Sequence, residues 1–137
     1  MKTIGVVHLK ALPGSPSYEN NLSEIYKSAL EDSTALQNGG VDSIIIENFG
    51  DIPFTKDSIS KLTLAHFTNI AKELSDSLNI DIGINVLRND GESALSIADS
   101  INANFVRINI LSGTMYTDQG IIEGKANKLI KLKNSLS

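Results

Sequence analysis

Apolar and polar positions along this chain alternate between two periods, and the alternation repeats four times. Residues 3–9, TIGVVHL, form a β-branched apolar run closed by the turn signal PGSP. The stretch NLSEIYKSALEDSTALQNGG then sets Leu22, Ile25, Tyr26, Ala29, Leu30, Ser33 and Leu36 at helical spacing. Asn21, with Glu24 three residues on, reads as a capping box, and Gly39–Gly40 as the stop. A second strand is predicted over 42–48, DSIIIEN, followed by a loop and a helix near 58–78 carrying Phe67, Ile70, Leu74 and Leu78 on one stripe. A third strand, DIGINVL at 81–87, leads through RND into a helix over about 91–101. A fourth strand near 105–110 leads through a long loop to a last helix carrying Leu129, Leu132 and Leu136. Short apolar strands alternating with amphipathic helices build parallel βαβ units. The expectation is an α/β chain, one domain over 1–137, made of four βα units.

Side chains alternate along a strand, so each strand sorts its residues onto two faces. One set is Val7, Leu9, Ile44, Ile46, Ile82, Ile84, Val86, Val106, Ile108 and Ile110, uniformly aliphatic and suited to lying under helices. The other is Ile4, Val6, His8, Ile45, Glu47, Gly83, Asn85, Phe105, Arg107 and Asn109, apolar at the strand starts and polar at the strand ends. An open doubly wound sheet would be apolar on both faces. A face that turns polar toward the carboxyl ends is the pattern of a TIM barrel, whose lumen is packed below and carries its site at the mouth. Arg107 and Asn109 are therefore placed in the lumen, with Glu47 as the counter-ion of Arg107. That pair either serves a ligand or is a structural ion pair filling the barrel.

A complete barrel has eight strands and typically about 250 residues, so these four units make half of one. An uncovered half would leave Ile4, Val6, Ile45 and Phe105 facing water, at roughly 1.5–3 kcal/mol for each large apolar side chain. The loss is comparable to the stability of a whole domain, roughly 5–15 kcal/mol. Two open parallel edges add a tendency to associate. The expected partner is a second copy or a complementary half-barrel.

Composition narrows the function classes. A net charge of −4 supplies no basic footprint for nucleic acid. MKTIGVVHLKALPGSP holds too short an apolar run for a signal sequence or membrane span. The absence of cysteine rules out thiolate chemistry and fits a reducing cytoplasm, the expected location.

The segments after the strands carry the candidate chemistry. His8, at a strand end, is a candidate acid/base group or metal ligand, with a hydrogen-bonded wall histidine as the bland alternative. Lys10 follows it, and Gly14 between two prolines fixes a turn; the Gly–Lys–Ser/Thr ending of a phosphate loop is missing. His66 reads as a surface residue of its helix. ENFGDIPF offers Glu47, Asn48 and Asp51, two carboxylates and an amide whose spacing matches no established metal motif. No metal or cofactor is assigned. NVLRND offers Asn85, Arg88, Asn89 and Asp90, the last a helix N-cap and the others groups that could meet an anion. Thr114, Thr117, Asp118 and Glu123 line the long loop, a binding loop or lid by its length. His8, Glu47 and Arg107 are the candidate catalytic groups; Lys10, Asn48, Asp51, Asn85, Arg88, Asn89, Asn109, Thr114, Thr117, Asp118 and Glu123 are candidate ligand-binding ones.

VVHLKALPGSP, GVDSIIIENFGDIPF, GINVLRND and VRINILSGTMYTDQGIIEGKA, in this order, resemble the BtpA family, which includes the SgcQ-like proteins. The resemblance implies a full-length protein about twice as long, folded as a ribulose-phosphate-binding barrel, of which this chain is the amino-terminal half. It also implies one of two functions. Cyanobacterial members are linked to photosystem I reaction-centre assembly at thylakoid membranes, whereas SgcQ-like members carry a nucleoside triphosphatase label. Family members also occur in organisms without photosynthesis, and the resemblance carries over no catalytic residues. The preferred reading is a barrel that binds or acts on a small phosphorylated metabolite or nucleotide, as a hydrolase if it is an enzyme. Buried polar groups inside a lumen favour it, because an assembly surface has no need of them there. The alternative is a non-catalytic assembly or stability factor working through exposed apolar helix faces.

Overall fold

Alternating β and α periods give the element order that the hydrophobic pattern predicts. The structure is a computed structural model that describes residues 1–136. The four βα units are β1 (Ile4–His8), α1 (Leu22–Asn38), β2 (Ser43–Glu47), α2 (Lys61–Ser77), β3 (Asp81–Asn85), α3 (Gly91–Ile101) and β4 (Phe105–Val106), closing on α4 (Ala126–Lys133). A hairpin of β5 (Thr114–Thr117) and β6 (Gly120–Glu123) sits between β4 and α4. The sheet runs β1-β2-β3-β4, all parallel, so β1 and β4 are its open edges.

The first three helices each start on a side-chain cap. Asn21 accepts the Glu24 N–H at 3.1 Å, but the Glu24 carboxylate reaches Lys10 at 2.8 Å instead of closing a capping box. Ser60 caps α2 through the Thr63 N–H, and the Thr63 hydroxyl donates to the Pro13 carbonyl, tying that helix to the β1 loop. Asp90 caps α3 through the Ser93 N–H, and α3 ends on Asn102 in the left-handed region.

One face of the sheet lies under the helices. Val7, Ile44, Ile46, Ile82, Ile84 and Val86 are at most 2% exposed and pack with Ile25, Phe67, Ile70, Leu74 and Ile97 of the helices into one core. The opposite face is covered unevenly. Ile4 and Val6 are 49% and 41% exposed, while Ile45 is buried and Phe105 half-buried. Only the β1 pair thus faces water as the half-barrel expectation requires; Ile45 and Phe105 do not. Gly83 explains the exception. A Cβ on it would stand 2.3 Å from the Phe105 ring, so that ring occupies the side-chain space that glycine leaves open on β3, the strand neighbouring Ile45.

Two expectations for the last third of the chain need correction. The fourth strand was expected over about 105–110, yet the ladder stops at Val106, with Arg107 N–H to the Ile84 carbonyl as the bond just beyond it. Side chains then replace the missing strand partner. Asn85 donates to the Arg107 carbonyl at 2.8 Å, while Asn89 accepts the Ile110 N–H and donates to its carbonyl. The expected long loop is a regular hairpin, pairing Thr114 with Glu123, Met115 with Ile122 and Tyr116 with Ile121 around an Asp118–Gln119 turn.

Candidate functional site at the carboxyl ends of the strands

Strand register stacks the open face into layers. His8 pairs with Glu47 and Glu47 with Asn85, and Arg107 follows one step beyond the Ile84–Val106 pair. One polar residue from each of four adjacent strands therefore stands at one level. Two residues earlier on each strand lies an apolar layer of Val6, Ile45, Gly83 and Phe105.

Glu47 is the centre of the polar layer. It is 4% exposed, and its Oε2 lies 3.2 Å from Arg107 Nη1 while its Oε1 lies 3.4 Å from His8 Nε2. The two partners, Arg107 and His8, are half-exposed, at 51% and 52% of their side chains. Charge neutralisation thus comes from groups at the mouth, and each has a face free toward it. Asn85 is 1% exposed; its Nδ2 donates to the Arg107 carbonyl and to Asn109 Oδ1 at 3.1 Å. The His8 ring stacks on Phe49 with centroids 4.3 Å apart, and Phe54 meets Phe49 edge-on. Arg88 lies 5.8 Å over the Phe54 ring, within cation–π range. The sequence reading passed over this aromatic ridge, although Phe49 shares the alternation of Glu47 and so belongs to the same side.

The remaining predicted residues go elsewhere. Asn48 is fully buried, accepts the Leu87 N–H at 2.7 Å and donates to Asp51, whose other oxygen accepts the Leu12 N–H at 2.8 Å. Together they join the loops after β1, β2 and β3. Burial raises the Asp51 carboxyl above its usual range, while the Leu12 N–H and the Asn48 amide hold it down. Asn89 is engaged by Ile110, and Lys10 pairs with Glu24 on the surface. Thr114, Thr117, Asp118 and Glu123 sit on the hairpin, where Thr117 donates to the Gly120 carbonyl. Glu123 and Asn89 also border a cavity with Lys56, Asp57 and Lys125, away from the Glu47 layer. Among the described residues, no three His, Cys, Asp or Glu side chains gather to hold a metal ion. No helix among them is long and apolar enough to cross a membrane.

A parallel four-stranded sheet with helices over one face and a polar layer at its strand ends is the architecture of half a TIM barrel. A crystal structure of Yersinia pestis dihydropteroate synthase, a TIM-barrel enzyme, superposes with a TM-score of 0.51 at 13% identity, covering 77% of this chain and 35% of that one. The likeness concerns the fold.

The BtpA family model matches residues 1–137, and the chain belongs to the BtpA family. It is 53% identical over 133 residues to an uncharacterized protein of Pyrococcus abyssi, covering 97% of this chain and 51% of the relative. An uncharacterized protein of Methanocaldococcus jannaschii is 49% identical with the same coverage. The photosystem I biogenesis protein BtpA of Synechocystis is 46% identical over 134 residues, covering 98% of this chain and 47% of that protein. The chain spans about half the length of the curated relatives it matches.

Proposed function

We propose that this chain forms the reacting-end half of a barrel that binds a small phosphorylated metabolite or nucleotide at its mouth. Four further βα units cover the open face and complete the hollow. The observation that carries this reading is the layer of His8, Glu47, Asn85 and Arg107, one from each strand, at the end of the sheet where barrel enzymes place their sites. A purely structural filler would be poor design, because burying Glu47 costs several kcal/mol that a half-exposed Arg107 only partly offsets. In the ligand-binding role Arg107 and His8 meet the anion while Glu47 holds them in place. The further units supply the main phosphate grip, as the loops after strands seven and eight commonly do.

The test is a thermal-shift screen of sugar phosphates and nucleotides against a full-length family relative that keeps these residues, and its variants equivalent to Arg107→Met and Glu47→Gln. The expected result is stabilisation of the parent, lost in both variants beyond what the lower unliganded melting temperature of Arg107→Met, which strips Glu47 of its guanidinium, accounts for. Equal loss of stability and binding would identify the pair as structural.

A second reading has its own observation. Tyr116 is 83% exposed and pairs across the hairpin with Ile121, 46% exposed, while Met115 is 56% exposed. The exposed apolar surface lies on this hairpin more than on the helix faces, and it would suit a non-catalytic role of the kind suggested by the photosystem I biogenesis name of the Synechocystis relative. Retained photosystem function in a relative with Tyr116→Ser and Ile121→Ser would count against it.

A further inference from the structure

The polar layer is short of hydrogen-bond donors. Asn85 Nδ2 faces the Arg107 carbonyl, which can only accept, and this fixes the amide so that Oδ1 is the end turned from β4 toward Glu47 on β2. Among the described residues no group donates to Oδ1, although Asn85 is 1% exposed. Its register neighbour, Glu47, is an acceptor as well, with capacity beyond the single contacts from Arg107 and His8. Two buried acceptors thus belong to register-paired residues of adjacent strands, whose backbones lie roughly 5 Å apart. A buried acceptor left without a donor is destabilising, and one at a strand end in a barrel mouth is explained by a partner that arrives with the ligand.

We propose that the floor of this site reads hydrogen-bond donors on the non-phosphate end of the ligand. Arg107, which reaches from beside β4 to Glu47 on β2 across the strand that carries Asn85, shifts toward the anion; a ligand hydroxyl or amino group then donates to the uncovered Asn85 Oδ1 and a neighbouring one to Glu47. The ligand class is a phosphate ester whose adjacent carbons carry hydroxyl or amino groups, as in a sugar or amino-sugar phosphate, rather than a simple alkyl phosphate. The proposal rests on the mouth being an anion site and adds what lies beside the anion. The apolar layer beneath, Val6, Ile45 and Phe105, offers no donor or acceptor, so the ligand's polar groups have these two acceptors as their floor.

Titration calorimetry of a full-length family relative that keeps His8, Glu47, Asn85 and Arg107 with ribose 5-phosphate, glucosamine 6-phosphate and propyl phosphate tests this. The three share the phosphate ester; the first carries hydroxyl donors, the second an amino donor as well, and the third none. The expected result is that at least one sugar phosphate binds ~10-fold or more tightly than propyl phosphate. That preference should collapse toward unity in Asn85→Leu, or in Asn85→Ala if the leucine variant does not fold. The two sugar phosphates tell a hydroxyl reader from an amino reader. Equal binding of all three esters overturns the donor inference and leaves the anion site standing. No binding of any ester overturns both. A preference unchanged in the Asn85 variants also overturns the inference.

Discussion

The two faces of one sheet share the same strands and the same backbone ladder, yet they are in opposite conditions. Under the helices, Val7, Ile44, Ile46 and Ile84 are fully buried. On the other side of β1, Ile4 and Val6 are nearly half exposed, below the level where His8 meets the buried Glu47 of β2. The first face is finished by elements of this chain; the second is finished only in part, by Phe105 lying over Gly83. An aliphatic face that meets helices needs nothing more, whereas a face that runs from apolar to polar along its strands is left open at its apolar end on β1. The proposed site lies on the face that looks least stable.

Breaking the finished face should have the largest effect. Phe67→Ala removes a fully buried ring from the core, and a loss of about 3–5 kcal/mol is expected in urea unfolding. A loss below about 1 kcal/mol would mean that the helix-covered face is not the main source of stability. Next comes Gly83→Ala, whose new methyl meets the Phe105 ring on the open face. It should cost about 1–3 kcal/mol and expose Ile45, seen as faster hydrogen exchange at that residue.

A pH series sharpens the comparison at the junction of the loops. Asp51 is raised in the folded protein, so the native state holds this proton more tightly than the unfolded chain does. The stability that protonation of Asp51 contributes is present below the unfolded value, near 3.8, and is lost as pH rises through the folded value. Wild type should therefore gain urea resistance relative to Asp51→Asn as pH falls toward that window; the opposite trend would contradict burial as the dominant cause. The smallest effect is expected at Val6→Ala, below about 1 kcal/mol while the face is open. If another set of strands covers it, the penalty should grow with protein concentration.

Much of this arrangement is legible in the residues. The period-2 alternation of TIGVVHL, DSIIIEN and DIGINVL separates the two faces, and the polar ends of the second set place His8, Glu47, Asn85 and Arg107 together. What the residues do not disclose is non-local. Asn89 completes the path of β4 through Ile110, and nothing near either residue announces that bond. Asn48 and Asp51 have the chemistry of a binding loop but satisfy backbone N–H groups of Leu87 and Leu12. The alternation held one unused signal: Asn48 follows Glu47 directly and so faces away from it. The hairpin was legible too, in the alternation of TMYT and GIIE around Asp118–Gln119, but its hydrogen-bonding side chains resemble those of a loop.

The central claim is that the open face is built to be covered. Native mass spectrometry and gel filtration of the purified chain at micromolar concentration test it directly. The account predicts a species heavier than the 14.7 kDa chain, twice that mass if a second copy provides the cover, which dissociates together with loss of structure. A monomer that stays folded and unfolds cooperatively on dilution would contradict it.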